Sequence, residues 1–367
     1  MIDANTANAE SSRVTHSPFL HSGYNSERWS QQQMVALLPG ALLSLWFFGP
    51  GVAINIAITV VLGLLTARAL NGMARQTSKG ADTNLIIMAI VLGLAIPPGA
   101  SILIPVVGTV VMVALGKQLW GGTGQYPFHP AMVAYLALLL LFSDQMLAWP
   151  EANGLLQFDW STLANKVLLP NPVPLVDGLS QATPLLDLQA QLDSSAPQDL
   201  LAATSNLNTA TGNLNTATGT FYTAAGLPML LINLGFLSGG LYLCYTRAIA
   251  WQAPVAALAS ILFCCLLSTG FLSLPGELLG LHLFAGHLLL VTFWVTTELS
   301  SSAKTARGRL LFGVIFGCVV YFIRQSGAVP DGLASAIIIA NLAAPLLDHR
   351  SRVASATAAA QAAAEDT

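Results

Sequence analysis

One polar stretch carries residue types whose spacing could do chemistry. Asp177, Ser180 and Thr183 lie three positions apart, and Pro184 follows the threonine directly. The stretch lies in the only long polar region between two blocks of apolar segments. Irregular exposed loops can present a hydroxyl to another enzyme, and the proline favours extended backbone at Thr183 over helix. Thr183 is therefore a candidate for covalent modification; the alternative is an ordinary Thr-Pro turn in a surface loop.

The composition indicates an integral membrane protein. Of the 367 residues, 54% are hydrophobic and only 8% are charged, whereas soluble domains carry roughly 25% charged residues. The net charge of −3 argues against nucleic acid as a partner. All four cysteines lie in apolar stretches without metal-ligand spacing, so no metal site is expected. Residues 1–30 lack the apolar core of a signal peptide, and we expect the first apolar segment to direct insertion.

The apolar segments predict an all-α polytopic membrane protein, with about ten transmembrane helices and one long outer, periplasmic loop. We divide the chain into a cytoplasmic N-terminal tail (1–32), a first transmembrane bundle of about five helices (33–149), the periplasmic loop (150–222), a second transmembrane bundle of about five helices (223–348) and a cytoplasmic tail (349–367). The expected spans are 34–49, 51–70, 84–98, 99–116, 129–149, 223–245, 252–273, 280–297, 308–324 and 330–347. Because only Pro97-Pro98-Gly99 separates the third from the fourth, that pair could instead form one re-entrant feature.

The distribution of basic residues sets the expected orientation. With the N-terminus inside, all of the 14 Lys and Arg except Lys166 and Arg324 fall on the cytoplasmic side. Both termini are then cytoplasmic, and residues 150–222, with Thr183, face outwards. This loop also repeats one seven-residue motif, at 206–212 and 213–219. Asn, Thr and Gly at this density favour turns, so we interpret 200–220 as a flexible insert without function.

A glycine-rich segment lies between the fourth and fifth expected spans. Gly121, Gly122 and Gly124 allow the backbone to approach a ligand closely. Irregular backbone near a membrane is tolerated where it lines a cavity or is buried in protein. The alternative is a simple turn from loop to helix, with Pro130 at the first helical position.

The polar stretch Asp177–Leu185 resembles the flavinylation motif of the RnfD/NqrB family, and the chain is most similar to the RnfD members. Members of the RnfD/NqrB family are membrane subunits of the Rnf electron-transport complex and of the sodium-pumping NADH:quinone oxidoreductase. The resemblance covers about His16 to Asp348. It includes Trp46-Phe47-Phe48-Gly49, the segment Lys117–Met132, Gly308–Gly313, Pro330-Asp331-Gly332 and Ala340–Asp348.

The resemblance implies a membrane-embedded flavoprotein subunit of an Rnf-type complex in the bacterial inner membrane. Such a subunit relays electrons between ferredoxin and NAD with coupled ion translocation. FMN would be joined to Thr183 by a phosphoester bond, and Asp177 and Ser180 would be the motif residues read by a flavin transferase. The implied partners are that transferase, the other subunits of the complex and the lipid bilayer. The chain would belong to a translocase without having a complete active site of its own, and no catalytic residue is expected on it.

In the family the glycine-rich segment is associated with a second, non-covalent flavin, riboflavin. This makes Gly124, Gln125, Tyr126 and His129 candidate contacts. Tyr126 and His129 stand where the family has asparagine, which leaves riboflavin binding open.

Two further departures from the family concern ionisable and polar positions. Glu298 follows Thr297 where the family has Thr-Asp-Pro, and the third span, from Asn84, lacks a familial Thr-Gly pair. Charged residues within the membrane are costly and usually have a function, so Glu298 and Asp331 are candidates for ion coupling.

Other interpretations stay open. His282 and Asp331 lie near predicted span ends, where solvation at the membrane interface is the alternative to a functional role. His287 could take part in proton transfer, contact a flavin, or hydrogen-bond to a neighbouring carbonyl. The whole chain could also be a transporter or channel without a cofactor, because ten spans with a Pro-Pro break suit that class as well. A structural subunit that has lost its flavin is the third possibility.

Overall fold

A computed structural model describes residues 26–73, 83–122, 124–150, 180–181, 226–269, 282–284, 286–326 and 332–365. These residues are helical except for turns and one pair of two-residue strands. In the first half the helices are α1 Ser26–Phe48, α2 Pro50–Met73, α3 Thr83–Ala95, α4 Leu103–Val111, α5 Pro130–Leu141 and α6 Ser143–Leu147. In the second half they are α7 Gly226–Tyr245, α8 Gln252–Thr269, α9 Leu288–Leu290, α10 Ala306–Ser326 and α11 Leu333–Glu365.

Two helices change their winding before they end. A π-helical stretch at Met112–Lys117 and a 3₁₀ turn at Gln118–Trp120 extend α4, and a π-helical stretch at Val291–Val295 extends α9. Such stretches shift the hydrogen-bond pattern by one residue and are frequent at functional sites. Both lead directly into the loops described below.

Within the described residues, four helical segments are long and apolar enough to cross a membrane: Pro50–Gly72, Leu103–Trp120, Leu227–Tyr245 and Ala306–Ser326. Three more apolar helices are shorter, at Thr83–Ala95, Pro130–Leu141 and Gln252–Ser268. A helical, polytopic membrane protein is thus confirmed. The count of ten spans and the outer placement of residues 150–222 remain predictions.

The boundaries differ from the predicted ones mainly at helix ends. α1 begins at Ser26, within the stretch assigned to the N-terminal tail, and α11 continues past the boundary at 348/349 to Glu365. The fourth span continues to Trp120 rather than ending at 116. α3 and α4 are separate helices joined by a turn through Pro97 and Pro98. The polar helix ends carry no apolar periodicity, so the hydropathy pattern does not locate them; the division into tails, bundles and outer loop stays a prediction.

The helices pack within each half and across the two halves. α8 packs most extensively against α10, α7 against α1, α10 against α11 and α2 against α3, while α5 also contacts α11. On α10, Gly313 and Gly317 face the carbonyl oxygens of Ala253 and Ala257 on α8, so closely that an added Cβ would collide with them. Small residues four apart allow this backbone approach, which favours association of helices in lipid. The α1–α7 and α5–α11 contacts join the two halves.

Candidate functional site

The glycine-rich loop connects the end of α4 to the start of α5. Gly121, Gly122 and Gly124 have φ angles of +100°, +95° and +89°, a backbone conformation that side chains with a Cβ rarely adopt. The chain therefore reverses tightly and turns inwards. Tyr126 and His129, which follow, are 1% and 2% exposed. Pro130 then begins α5 at the first helical position.

The hydroxyl of Tyr126 reaches a carboxylate from the second half of the chain. It donates a hydrogen bond of 2.8 Å to Oε1 of Glu298. Asn84, at the start of α3, donates from Nδ2 to the Tyr126 hydroxyl at 3.0 Å and to Glu298 Oε1 at 3.4 Å. The three positions singled out separately as departures from the family pattern are therefore one hydrogen-bonded group.

The other carboxylate oxygen of Glu298 accepts hydrogen bonds from residues of the turn that follows Glu298. Oε2 accepts from the backbone amides of Ser300 and Ser301 at 2.9 and 2.8 Å, and from the Ser301 hydroxyl at 3.0 Å. Glu298 is only 3% exposed. A carboxylate removed from water is tolerated when such donors replace its hydration. Burial and the adjacent Glu298 carboxylate raise the pKa of Tyr126 far above its ordinary value, so this phenol stays protonated and acts as a donor.

His129 and Asn341 add the last helix to this group. With its amide turned to satisfy both ends, Asn341 donates to the Ser301 carbonyl at 3.1 Å and accepts from the His129 backbone amide at 3.1 Å. Nδ1 of His129 is buried and has no hydrogen-bond partner among the described residues. We call Asn84, Tyr126, His129, Glu298 and Asn341 the polar cluster.

A second buried carboxylate braces the far side of the same turn. Asp348 of α11 is 5% exposed. Its Oδ2 accepts from the Lys304 amide at 2.9 Å, and its Oδ1 accepts from the Thr305 amide at 2.9 Å and from the Thr305 hydroxyl at 2.8 Å. The turn from Glu298 to Thr305 is thus fixed by one carboxylate at each end.

Of the candidate modification stretch the structure describes only Ser180–Gln181, and these two residues lie away from the polar cluster. Ser180–Gln181 (β2) pairs antiparallel with Trp149–Pro150 (β1), in the register Trp149 to Gln181 and Pro150 to Ser180. The Trp149 ring lies 5.1 Å from the His287 ring and 5.4 Å from the Phe48 ring, between centroids. The strand pair therefore lies beside an aromatic group of three rings, which we call the aromatic cluster.

The two clusters lie at opposite helix ends. The polar cluster gathers the start of α3 and the turns that precede α5 and α10, whereas the aromatic cluster gathers the ends of α1 and α6 and the turn before α9. The predicted alternation of spans places the first at the cytoplasmic end and the second at the outer end.

Not every sequence-predicted site residue falls in the described part of the chain. Thr183, Asp177 and Asp331 lie outside it, and of Ser180 only the backbone is described. Gly124 and Gln125 are exposed, and Gln125 does not join the polar cluster. Asn341 and Asp348 were noted in the sequence only as part of a familial segment, and Ser300 and Ser301 were not singled out at all. Their hydrogen-bonding side chains were the only signal.

The polar cluster fits a hydrogen-bonding ligand only in part. Nδ1 of His129 has no hydrogen-bond partner among the described residues, but it is buried, and the open space is at the exposed Gly124. The Tyr126 hydroxyl is already committed to Glu298. In the described ranges no group of three or more His, Cys, Asp or Glu could hold a metal ion.

These features define a polytopic helical membrane protein in which the polar cluster and the aromatic cluster lie at opposite helix ends. The sequence model of the NQR2, RnfD, RnfE family matches residues 13–355. The chain belongs to that family, as its motifs predicted.

Curated relatives, each named as the D subunit of an ion-translocating oxidoreductase complex, align with nearly the whole chain. The relative from Pectobacterium atrosepticum is 33% identical over 354 residues, covering 92% of this chain and 96% of the relative. That from Erwinia tasmaniensis is 33% identical over 355 residues with the same coverage. That from Actinobacillus succinogenes is 34% identical over 359 residues, covering 93% and 96%.

Proposed function

We propose that this chain is the D-type membrane subunit of an Rnf-type ion-translocating oxidoreductase in the bacterial inner membrane. Its role is to relay electrons between ferredoxin and NAD through a flavin while ions cross the membrane. The proposal rests on the alignment, nearly from end to end, with relatives named as the D subunit of such a complex. The alignment covers 92% of this chain and 96% of the Pectobacterium atrosepticum relative, so this chain corresponds to nearly the whole of that D subunit.

The flavin attachment point in this proposal is Thr183, with FMN joined through the side-chain oxygen. Support comes from the neighbouring Ser180–Gln181, which pair with Trp149–Pro150. The Trp149 ring contacts the rings of Phe48 and His287. Aromatic rings can pack against the flat face of an isoalloxazine. A flavin, when bound, accepts and releases electrons one or two at a time. The chain's own contribution is to fix its position and to exclude water.

A second flavin at the glycine-rich loop would be held by His129 rather than by Tyr126. The hydroxyl of Tyr126 is occupied by Asn84 and Glu298, whereas Nδ1 of His129 has no partner among the described residues. Gly124 leaves room beside the loop.

Ion coupling is assigned to Glu298. It is a buried carboxylate at the end of the π-helical stretch Val291–Val295, and five donors surround it. A buried carboxylate that is so fully bonded senses the movement of any one donor. A shift of the Tyr126 loop would remove one of these five donors.

The test is covalent flavin on the purified chain. The protein is expressed with and without a flavin transferase and examined by intact mass and by fluorescence of the denatured band. We expect the FMN mass increment and fluorescence only with the transferase. Absence of both in the co-expressed sample would support the structural subunit that has lost its flavin, while transport of a solute by the flavin-free protein would support a transporter.

A further inference from the structure

A basic cavity lies between the end of α7 and the start of α10. It has a volume of about 580 Å³. Arg247, Lys304 and Arg309 line it, and no Asp or Glu is among its described lining residues. The side chains of Arg247 and Lys304 have no carboxylate partner in the described part of the chain. The described lining therefore carries three cationic side chains and no carboxylate, while the buried Asp348 lies behind it, bonded to the Lys304 backbone amide.

The cavity lies at the level where membrane-spanning segments end. The apolar segment Leu227–Tyr245 ends and Ala306–Ser326 begins at its rim. Tyr245 is 87% exposed and Trp251, which also lines the cavity, is 55% exposed. Exposed Tyr and Trp are typical of the interface between membrane and water. The charged wall thus faces the depth at which lipid headgroups lie.

Arg247 adopts a backbone conformation that residues with a Cβ rarely take. Its φ is +57°, and it is the one non-glycine residue with positive φ among the described residues. The Ala248 amide bonds to the Leu243 carbonyl at 2.9 Å, so Arg247 occupies the left-handed position of a helix end that glycine usually takes. Trp29 of α1 donates to the Ala248 carbonyl at 2.8 Å and holds this turn. Strain of this kind, retained and braced, points to a function for the side chain.

Lys304 and Arg309 are also fixed by hydrogen bonds away from their terminal nitrogens. The backbone amide of Lys304 is bound by Asp348, and Nε of Arg309 donates to the Ala303 carbonyl at 3.2 Å. The terminal nitrogens of both side chains make no hydrogen bond within the described part of the chain and can therefore bind a ligand. Gln252, in the same wall, has a buried Oε1 without a hydrogen-bond partner among the described residues. This oxygen requires a donor, which a headgroup hydroxyl supplies.

We propose that this cavity binds the glycerophosphate headgroup of an anionic phospholipid. The phosphodiester lies against Arg247, Lys304 and Arg309, and a glycerol hydroxyl donates to Gln252. Ile249 and Ala253 in the same wall contact the apolar part of the lipid. Basic pockets between transmembrane helices are known to take such headgroups. The inference is independent of the proposed electron transfer, because it needs no flavin.

The experiment uses the full-length chain, stripped of lipid in detergent and titrated with phosphatidylglycerol or phosphatidylcholine during native mass spectrometry. We expect a preference for phosphatidylglycerol. The double variant Arg247→Gln/Lys304→Gln should bind it about 25-fold more weakly, about fivefold for each cation removed. Arg307→Gln is the matched control, because Arg307 is exposed at the start of α10 and does not line the cavity; it should bind as the unmutated chain does.

A single substitution separates charge from folding. Arg247→Gly removes the cation and suits the positive φ, so the protein should keep or raise its melting temperature while phosphatidylglycerol binding falls about fivefold. Unchanged binding in this variant and in the double variant would overturn the proposal.

Two competing occupants are tested by labelling Cys244, which lines the cavity. Phosphatidylglycerol should slow its reaction with a maleimide, measured peptide by peptide with Cys318 as the reference. Equal protection by inorganic phosphate would indicate a free-phosphate site instead. A cross-link from Cys244 to another protein of the complex in native membranes, with no effect of phosphatidylglycerol, would indicate a protein partner. Either result would refute the lipid assignment.

Discussion

Tyr126 and Glu298, 172 positions apart in the chain, are joined by a hydrogen bond of 2.8 Å between the phenol and Oε1 of the carboxylate. The bond ties the glycine-rich loop of the first half to the turn after α9 in the second. Two loops assigned to different roles from the sequence thus form one unit.

Tyr126→Phe should lower stability by about 1.5–3 kcal/mol, the usual range for a hydrogen bond to a charged group. It removes one donor from Glu298 and also the acceptor used by Asn84. The measurement is the melting temperature of the purified protein in detergent. Tyr242→Phe is the control, since Tyr242 is 41% exposed. Equal losses in both variants would contradict a special role for the Tyr126 bond.

Asp348→Asn should destabilise the protein by about 1–3 kcal/mol, because an amide nitrogen would face the amides of Lys304 or Thr305. Thermal unfolding checks this. Asp144→Asn, at an exposed position in α6, should be nearly neutral. If both behave alike, Asp348 does not brace the turn.

Glu298→Gln should lower ion transport while covalent flavin is retained. The substitution removes the charge and leaves one set of donors facing an amide nitrogen. Transport is measured in proteoliposomes of the assembled complex and expressed per folded protein. Asp348→Asn, which alters the same turn, is the matched control and should preserve transport per folded protein. Unchanged transport in the Glu298 variant would leave this carboxylate a purely structural role.

Thr183→Val should abolish covalent FMN in a protein that still folds and inserts, because the shape is kept and the nucleophilic oxygen is lost. Thr183→Ser keeps a hydroxyl and should retain some modification, and Asp177→Ala should reduce it by weakening recognition by the transferase. Intact-protein mass with co-expressed transferase is the measurement. An FMN increment on the valine variant would place the attachment elsewhere.

Reporter fusions test the orientation. A fusion at Gln189 should report an outer location and one at the C-terminus an inner one, since all but two basic residues fall on the inner side of the predicted layout. An inner signal at Gln189 would overturn the layout.

The sequence predicted the class of fold and several of the site residues, but not how they meet. Hydropathy located the apolar helices because a bilayer requires about 20 apolar residues for a span. Glu298, Tyr126 and Asn84 were each noticed for their chemistry. Their contact depends on how α3, α5 and α9 pack, which one sequence does not record. The π-helical stretches were missed for a related reason, since a shift of one residue in the hydrogen-bond pattern leaves no mark in a hydrophobic period.

The short strand pair also sets a length limit. Thr183 follows Gln181 by two residues, and two residues of chain reach at most about 7 Å. Whatever its conformation, the Cα of Thr183 therefore stays within that distance of the Cα of Gln181, which is paired with Trp149. A group esterified to Thr183 is on a tether anchored beside the aromatic cluster. Lengthening the chain at 151–179 would leave this tether unchanged, whereas even one residue inserted between Gln181 and Thr183 would extend it by about half.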